Sequence, residues 1–321
     1  LLEEHTFALP GDRVLVYPGV GEDAAVIDMG ERWLVAKTDP ITFATDEIGW
    51  YAVHVNANDV AAAGGVPRWF LSTLLLPEGS TDGALVERIM GQISTACRSL
   101  GVVPCGGHTE VTYRLDRPIV VGVMLGEIVP GNLVRSSGVQ VGDAILMTKG
   151  VAVEGTAILA REKERELCSR FEGAFLKRCQ GFLHDPGISI VREARIAVGA
   201  GRVHAMHDPT EGGLATGLWE LAIASNVGLE VDAERIPVFE ETRQLCEVFG
   251  LEPLGVIASG ALLIAVAEAD VTPVCDALAN AGVVAALIAR AVSPDRGLTM
   301  YTSKGILALP RYDQDEIARL F

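Results

Sequence analysis

His207-Asp208-Pro209-Thr210-Glu211-Gly212-Gly213-Leu214 joins an apolar run at 203–206 to a helical pattern at 213–224. It reads as a strand, then acids and glycines, then a helix. Asp208 or Thr210 suits the N-cap of that helix, because a short side-chain oxygen accepts a first-turn N–H. The same residues also suit an anion, since glycines at a helix N-terminus present bare N–H groups and partial positive charge. A plain cap and a phosphate loop are both open on these residues alone.

The same device recurs outward along the chain. Gly19-Val20-Gly21-Glu22-Asp23 runs into a strand at 24–27, and Lys37-Thr38-Asp39 closes a strand at 33–36. Asn56-Ala57-Asn58-Asp59 lies inside a helix at 46–63, where Asn56 and Asp59, three apart, share a face. Three Asn or Asp in four positions cost helix propensity, which marks either a functional patch or a solvated one. Gly106-Gly107-His108-Thr109-Glu110 follows a strand at 102–104, and Lys149-Gly150, then Glu154-Gly155, follow a strand at 144–148. Singly, each fits an ordinary turn or loop end. Jointly, the acids Asp23, Asp39, Asp59, Glu110 and Asp208 repel one another unless cations sit among them. Mg²⁺ takes carboxylates, phosphate and water, so the set reads as a Mg²⁺–nucleotide site; unconnected loop ends are the alternative.

The remaining pattern gives strands at 14–16, 69–76, 119–125, 261–266 and 284–288. Helical spacing marks 81–100, 153–161, 165–183, 188–198, 240–249 and 271–281. Strands and helices mix in both halves, so each half is α/β or α+β. Pro, Gly, Ser and Asn concentrate at 130–142, which places a boundary there and domains at 1–136 and 137–321. A length of 321 residues agrees with two domains.

A net charge of −16 argues against a nucleic-acid partner but not against a small anion held by N–H groups or a metal. Hydrophobic residues at 49% exclude a largely disordered chain. The longest uncharged apolar stretch, 254–267, is shorter than the roughly 20 residues of a membrane span, so no membrane association is expected. Six cysteines without a C-x-x-C or zinc spacing point to the reducing cytoplasm and mostly buried thiols. His204 and His207, three apart at a strand's end, face opposite ways and do not make a zinc pair. There is no P-loop, no nucleophile elbow and no third glycine of a dinucleotide fingerprint.

In order, G-V-G-E-D-A-A-V-I (19–27), K-T-D-P-I (37–41), N-D-V-A-A-A-G-G-V-P (58–67), G-G-H-T-E (106–110), H-D-P-T-E-G-G-L (207–214) and S-G-A-L-L-I-A-V (259–266) resemble the AIR synthase, or PurM-like, superfamily over nearly the whole chain. The D-P-T-x-G-G form points within it to the HypE-like, AIR synthase-related branch. The resemblance implies a two-domain PurM-like fold. Its N-terminal sheet-and-helix domain would pair in a homodimer with ATP near the interface, and an α/β domain would follow. By motif match it implies Asp23, Asp39, Asp59 and Asp208 around Mg²⁺; Glu110, which is not part of the family's pattern, is expected as a further acid. Gly19, Gly21, Asp23, Thr38, Asp39, Asn56, Gly107, Thr109, Lys149, Thr210 and Gly212 would bind the nucleotide. Asp59, Asp208 and His108 would serve catalysis; His108 stands where related enzymes often carry Asp or Glu.

The implied chemistry is ATP-dependent phosphorylation of a carbonyl or amide-like oxygen on an unidentified small substrate. Displacement or dehydration would follow, in hydrogenase maturation and beside a maturation-complex protein. A nucleotide-binding partner protein without turnover and a small-molecule kinase like the thiamine-monophosphate enzyme are the alternatives. HypE carries its substrate on a Cys after Pro-Arg. Here Pro310-Arg311 precede Tyr312, and no Cys follows through Phe321.

Overall fold

In the computed structural model the described residues are 11–19, 21–42 and 46–321. The chain divides into two compact units, 1–133 and 134–321.

The first unit runs β1 (Val14–Val16), β2 (Ala25–Asp28), β3 (Trp33–Ile41), α1 (Ile48–Ala62), β4 (Val66–Pro77), α2 (Gly83–Leu100), β5 (Val103–Thr112) and β6 (Ile119–Ile128). Among the described residues its strands form one sheet, in the order β1-β2-β3-β6-β4-β5. Only β4 and β5 pair in parallel, because α2 supplies the crossover that a parallel pair needs. α2 starts at Gly83, where the Asp82 carboxylate accepts the Leu85 N–H at 2.7 Å, and stops at Gly101, with φ +68°.

α1 is buried along every residue but Trp50, as expected of a helix that is apolar nearly all round. Asn56, Asn58 and Asp59 are therefore core residues and not a solvated patch. The helix lies close to the sheet because Gly122 and Gly126, four apart on β6, face it from the same side. A Cβ on Gly122 would fall 2.4 Å from Asn56 Nδ2 and 2.9 Å from the Ala52 carbonyl; one on Gly126 would fall 2.4 Å from Val60 Cγ1. Gly122→Ala is expected to cost about 2 kcal/mol by overpacking, read from urea denaturation. An unchanged midpoint would mean that this glycine does not set the helix–sheet distance.

The expected short strand at 102–104 is instead a ten-residue strand that carries G-G-H-T-E inside it. Gly107 is required there because the Ser72 carbonyl oxygen lies 2.0 Å from where its Cβ would be. β5 is an edge strand, and its first nine residues are exposed.

The second unit runs β7 (Ala144–Thr148), α3 (Val153–Glu162), α4 (Gly173–Gly181), α5 (Val191–Ala200), β8 (Val203–His207), α6 (Gly213–Ser225), β9 (Gly228–Asp232), α7 (Glu240–Phe249), β10 (Leu263–Val266), α8 (Glu268–Asn280), β11 (Ala285–Val292), β12 (Leu298–Thr302) and β13 (Gly305–Ala308). Its sheet order is β13-β12-β9-β11-β7-β10-β8, and β7 and β10 are buried throughout. The expected helix at 165–183 breaks into a turn at Glu164–Leu167 and α4, with Glu172 extended just before Gly173. Strands β9, β12 and β13 were not expected, although Leu229-Glu230-Val231-Asp232 in β9 alternates apolar and polar residues; β13 is exposed along its length.

β7 and β8 are both antiparallel to β10. The loops after them therefore leave the same end of the sheet, about 10 Å apart across two strand spacings. His204 Nδ1 meets Asp143 and His207 Nε2 meets Glu220, each at 2.9 Å, so the two imidazoles do face different partners. Cys97, Cys179 and Cys246 are buried, and burial pushes each thiol up to about 12. Cys105 and Cys168 are exposed, so "mostly buried" holds for only half of the six. No helix among the described residues is long and apolar enough to cross a membrane.

Candidate functional site

In the first unit the site is built on β3 and α1. Side chains alternate along a strand, so Lys37 and Asp39 share a face and Thr38 points to the other. Thr38 Oγ1 donates to the Gly122 carbonyl at 2.9 Å, away from Asp39's side chain. The structure thus separates two residues that the sequence reading grouped. Lys37 Nζ bridges Asp39 Oδ2 at 3.2 Å and Asp59 Oδ2 at 3.1 Å. Asn56 Nδ2 donates to the Ala52 carbonyl at 2.8 Å and the Asp39 carbonyl at 3.3 Å, which ties α1 to β3 and fixes where Asp59 points. The Glu22 N–H donates to the Gly19 carbonyl at 3.2 Å, Gly21 has φ +74°, and Asp23 follows.

Burial pulls the Lys37 ammonium toward neutrality, but Asp59, Asp39 and Asp23 together outweigh it and hold it above its ordinary range. Burial raises the Asp59 carboxyl; Lys37 opposes this, and Asp23 and Asp39 add to it. Asp39 and Asp59 thus share one ammonium at contact distance, and Asp23 bears on it by charge. Asp39 and Asp59 offer oxygen donors, and a cation already bridges them. That fits a hard divalent ion such as Mg²⁺.

His108 and Glu110 do not join this cluster within one chain. They lie on β5, which is separated from β3 by β6 and β4, about 14 Å across three strand spacings. Their side chains are 68% and 56% exposed, with His108 Nε2 3.9 Å from Glu110 Oε2. Gly107 and Thr109 sit with them in the ladder opposite Ser72 and Leu74, not in a phosphate loop.

In the second unit Asp208, 2% exposed, follows β8. Neither Asp208 nor Thr210 caps α6. Gly212 is the N-cap, at φ +75°, and no side chain of its own caps the helix. The Gly212 N–H is instead taken by Asp315 Oδ2 at 2.8 Å, a carboxylate 103 residues away. The Gly212 N–H is therefore already met by a carboxylate of the chain itself. Asp315 Oδ1 also accepts the Ile317 N–H at 2.9 Å. Burial raises the Asp315 carboxyl against these bonds, and Glu211 adds to the rise. Asp315→Ala is expected to cost about 2 kcal/mol by leaving the Gly212 N–H buried and unmet. That lowers the melting temperature by about 4–8 °C. A melt superimposable on wild type would show that water satisfies the donor.

Beside this contact lies Glu154, at the start of α3, 5% exposed and with Oε2 finding no hydrogen-bond partner among the described residues. Burial pushes its carboxyl up to about 7; bonds from Ser259 oppose the rise, and the charges of Glu211 and Asp315 add to it. Lys149, expected on the nucleotide, is spent elsewhere. Its ammonium meets Glu193 at 2.9 Å, the Gly187 carbonyl at 3.0 Å and the Ser189 carbonyl at 2.6 Å, which uses all three protons. Lys37, Glu154 and Asp315 were missing from the sequence-derived site. Only Lys37 left a signal, the K-x-D alternation.

The family models "AIR synthase related protein, N-terminal domain" and "AIR synthase related protein, C-terminal domain" match residues 21–128 and 140–300. The chain is 31% identical to the carbamoyl dehydratase HypE of Rhizobium leguminosarum bv. viciae over 297 residues, 89% of this chain and 81% of that one. It is similar to the crystal structure of hydrogenase maturation protein HypE in complex with ATP, with a TM-score of 0.76, 28% identity and coverage of 91% of this chain and 89% of that one. A ThiL structure complexed with AMPPCP and TMP shares the fold, with a TM-score of 0.72 at 22% identity, covering 88% of this chain and 87% of that one.

Proposed function

For a chain that belongs to the AIR synthase related protein family, we propose an ATP-dependent dehydratase of the hydrogenase-maturation type. The observation that carries this reading is the Asp39–Lys37–Asp59 constellation with Asp23 beside it. The HypE relative is a carbamoyl dehydratase, and the similar HypE structure holds ATP.

The chemistry asks little covalent work of the protein. A carboxamide oxygen is a poor leaving group. Transfer of the γ-phosphoryl group onto it, followed by loss of phosphate and a proton, leaves a nitrile. Such transfer depends on positioning and on charge stabilisation, not on a protein nucleophile. Asp23, Asp39 and Asp59 would hold Mg²⁺, which neutralises phosphate charge when bound. Asn56 keeps α1 against β3 and so holds Asp59 in line with Asp39. In the second unit Asp208 and Thr210 are proposed as further polar anchors for the reactants. The residue after Pro310-Arg311 is Tyr312. Its ring packs on Gly255 and its backbone is bonded to Thr216, so this position itself presents no acceptor thiol.

β5 is proposed to pair with a second copy of the chain. An unblunted edge with nine exposed residues, including Val103 and Val111, invites such pairing. His108 and Glu110 would then serve the interface. Val111→Lys is expected to shift the solution mass from about twice 34.0 kDa to 34.0 kDa in sedimentation equilibrium; an unchanged mass would move the interface elsewhere.

The function is tested by ATP turnover with small carboxamide acceptors, following ADP, free phosphate and acceptor products together. Equal ADP and free phosphate with loss of water from the acceptor supports the dehydratase. A phosphorylated acceptor without free phosphate would make the chain a kinase. No acceptor-dependent turnover would leave a nucleotide-binding partner protein.

A further inference from the structure

We propose that Lys37 is the resident counter-cation of the Asp39–Asp59 pair and exchanges with the divalent metal, so that metal enters only with a phosphate-bearing ligand that takes over the ammonium. This rests on the metal–nucleotide reading above.

Lys37 Nζ sits 3.2 Å from Asp39 Oδ2 and 3.1 Å from Asp59 Oδ2, bridging one oxygen of each acid. Mg²⁺ would be held by the same two acids. It would then compete with the ammonium for their oxygens, and two cations this close repel, so the metal is expected to displace the ammonium. The side chains are 12% exposed for Lys37 and 5% for Asp59. Unbalanced charge at that depth is costly, so the metal-free protein needs Lys37 where it is. Asp39 is 35% exposed and gives the exchange its open side. Once displaced, a buried ammonium needs new acceptors. Lysine's flexible four-carbon stem lets it swing, and phosphate oxygens supply the acceptors. Metal and phosphate then favour each other's binding, and by linkage the favour is reciprocal.

The test is a Mn²⁺ titration, read by electron paramagnetic resonance of the free aquo ion. The arms are wild type, Lys37→Met and Lys37→Arg, each with and without AMPPNP and corrected for Mn²⁺ held by free analogue. Wild type is expected to bind Mn²⁺ at least tenfold more tightly with the analogue than without it. Lys37→Met is expected to bind Mn²⁺ alone at least tenfold more tightly than wild type, and to gain less from the analogue. Lys37→Arg keeps the charge and is expected to resemble wild type without analogue, which a merely disrupted site would not do. Equal wild-type affinity with and without analogue overturns the exchange and leaves the metal–nucleotide reading standing. So does a Lys37→Met protein that binds no tighter. If Mn²⁺ binds in no arm, the metal–nucleotide reading falls as well. Should Lys37→Met fail to fold, Lys37→Gln, which removes the charge but can still hydrogen-bond to the acids, takes its place with the same expected result.

Discussion

Asp59→Asn is expected to weaken binding of a non-hydrolysable ATP analogue in Mg²⁺ by roughly 100- to 1000-fold, about 3–4 kcal/mol. The substitution keeps the shape of the side chain and removes one of the two carboxylates that Lys37 bridges. Stability should change little, because Lys37 keeps Asp39 at 3.2 Å and a buried charge is gone. Burial, Asp23 and Asp39 already raise Asp59's carboxyl against the pull of Lys37. Isothermal titration separates these effects: lost affinity with an unchanged melt marks Asp59 as a binding group. Retained affinity would mean that the nucleotide sits elsewhere.

Glu154→Gln is expected to raise stability at pH 8 by about 3 kcal/mol, taking the rise from the ordinary carboxyl value to about 7 at 1.36 kcal/mol per pH unit. In the folded chain Glu154 holds its proton to about 7; in the unfolded chain it loses it near 4.5. Between those values the folded state binds more protons, so this group's contribution falls as pH rises and is flat above the window. The gain of the variant should therefore vanish at pH 4 and be complete by pH 8, read from urea unfolding across pH. A gain independent of pH would show that the buried Oε2 is not the cause.

The sequence and the structure agree most closely where one element carries its own signal. The step from 203–206 through H-D-P-T-E-G-G into a helix is β8, a loop and α6. α2 follows its apolar spacing and its Asp82 cap. The readings part where a distant element decides. G-G-H-T-E looked like a loop because glycines usually break strands. Gly107 is there because the carbonyl of Ser72 on β4 leaves no room for a Cβ, and nothing within 106–110 reports that. The Gly212 N–H looked ready for phosphate, yet its partner Asp315 lies near the far end of the chain. The acids at 39 and 59 meet on Lys37, two residues from Asp39, and Asp23 bears on that ammonium by charge. Strand alternation alone places that ammonium on the acid's face. Glu154 was visible as a residue, but its burial was not.

The most direct measurement is the fate of oxygen. A carboxamide acceptor labelled with ¹⁸O at its carbonyl is turned over with Mg²⁺–ATP, and the released phosphate is weighed by mass spectrometry. Phosphorylation of the carboxamide oxygen predicts one ¹⁸O in each phosphate and an unlabelled nitrile product. Unlabelled phosphate released at the same rate would mean that water, not the acceptor, takes the phosphoryl group, and would contradict the account.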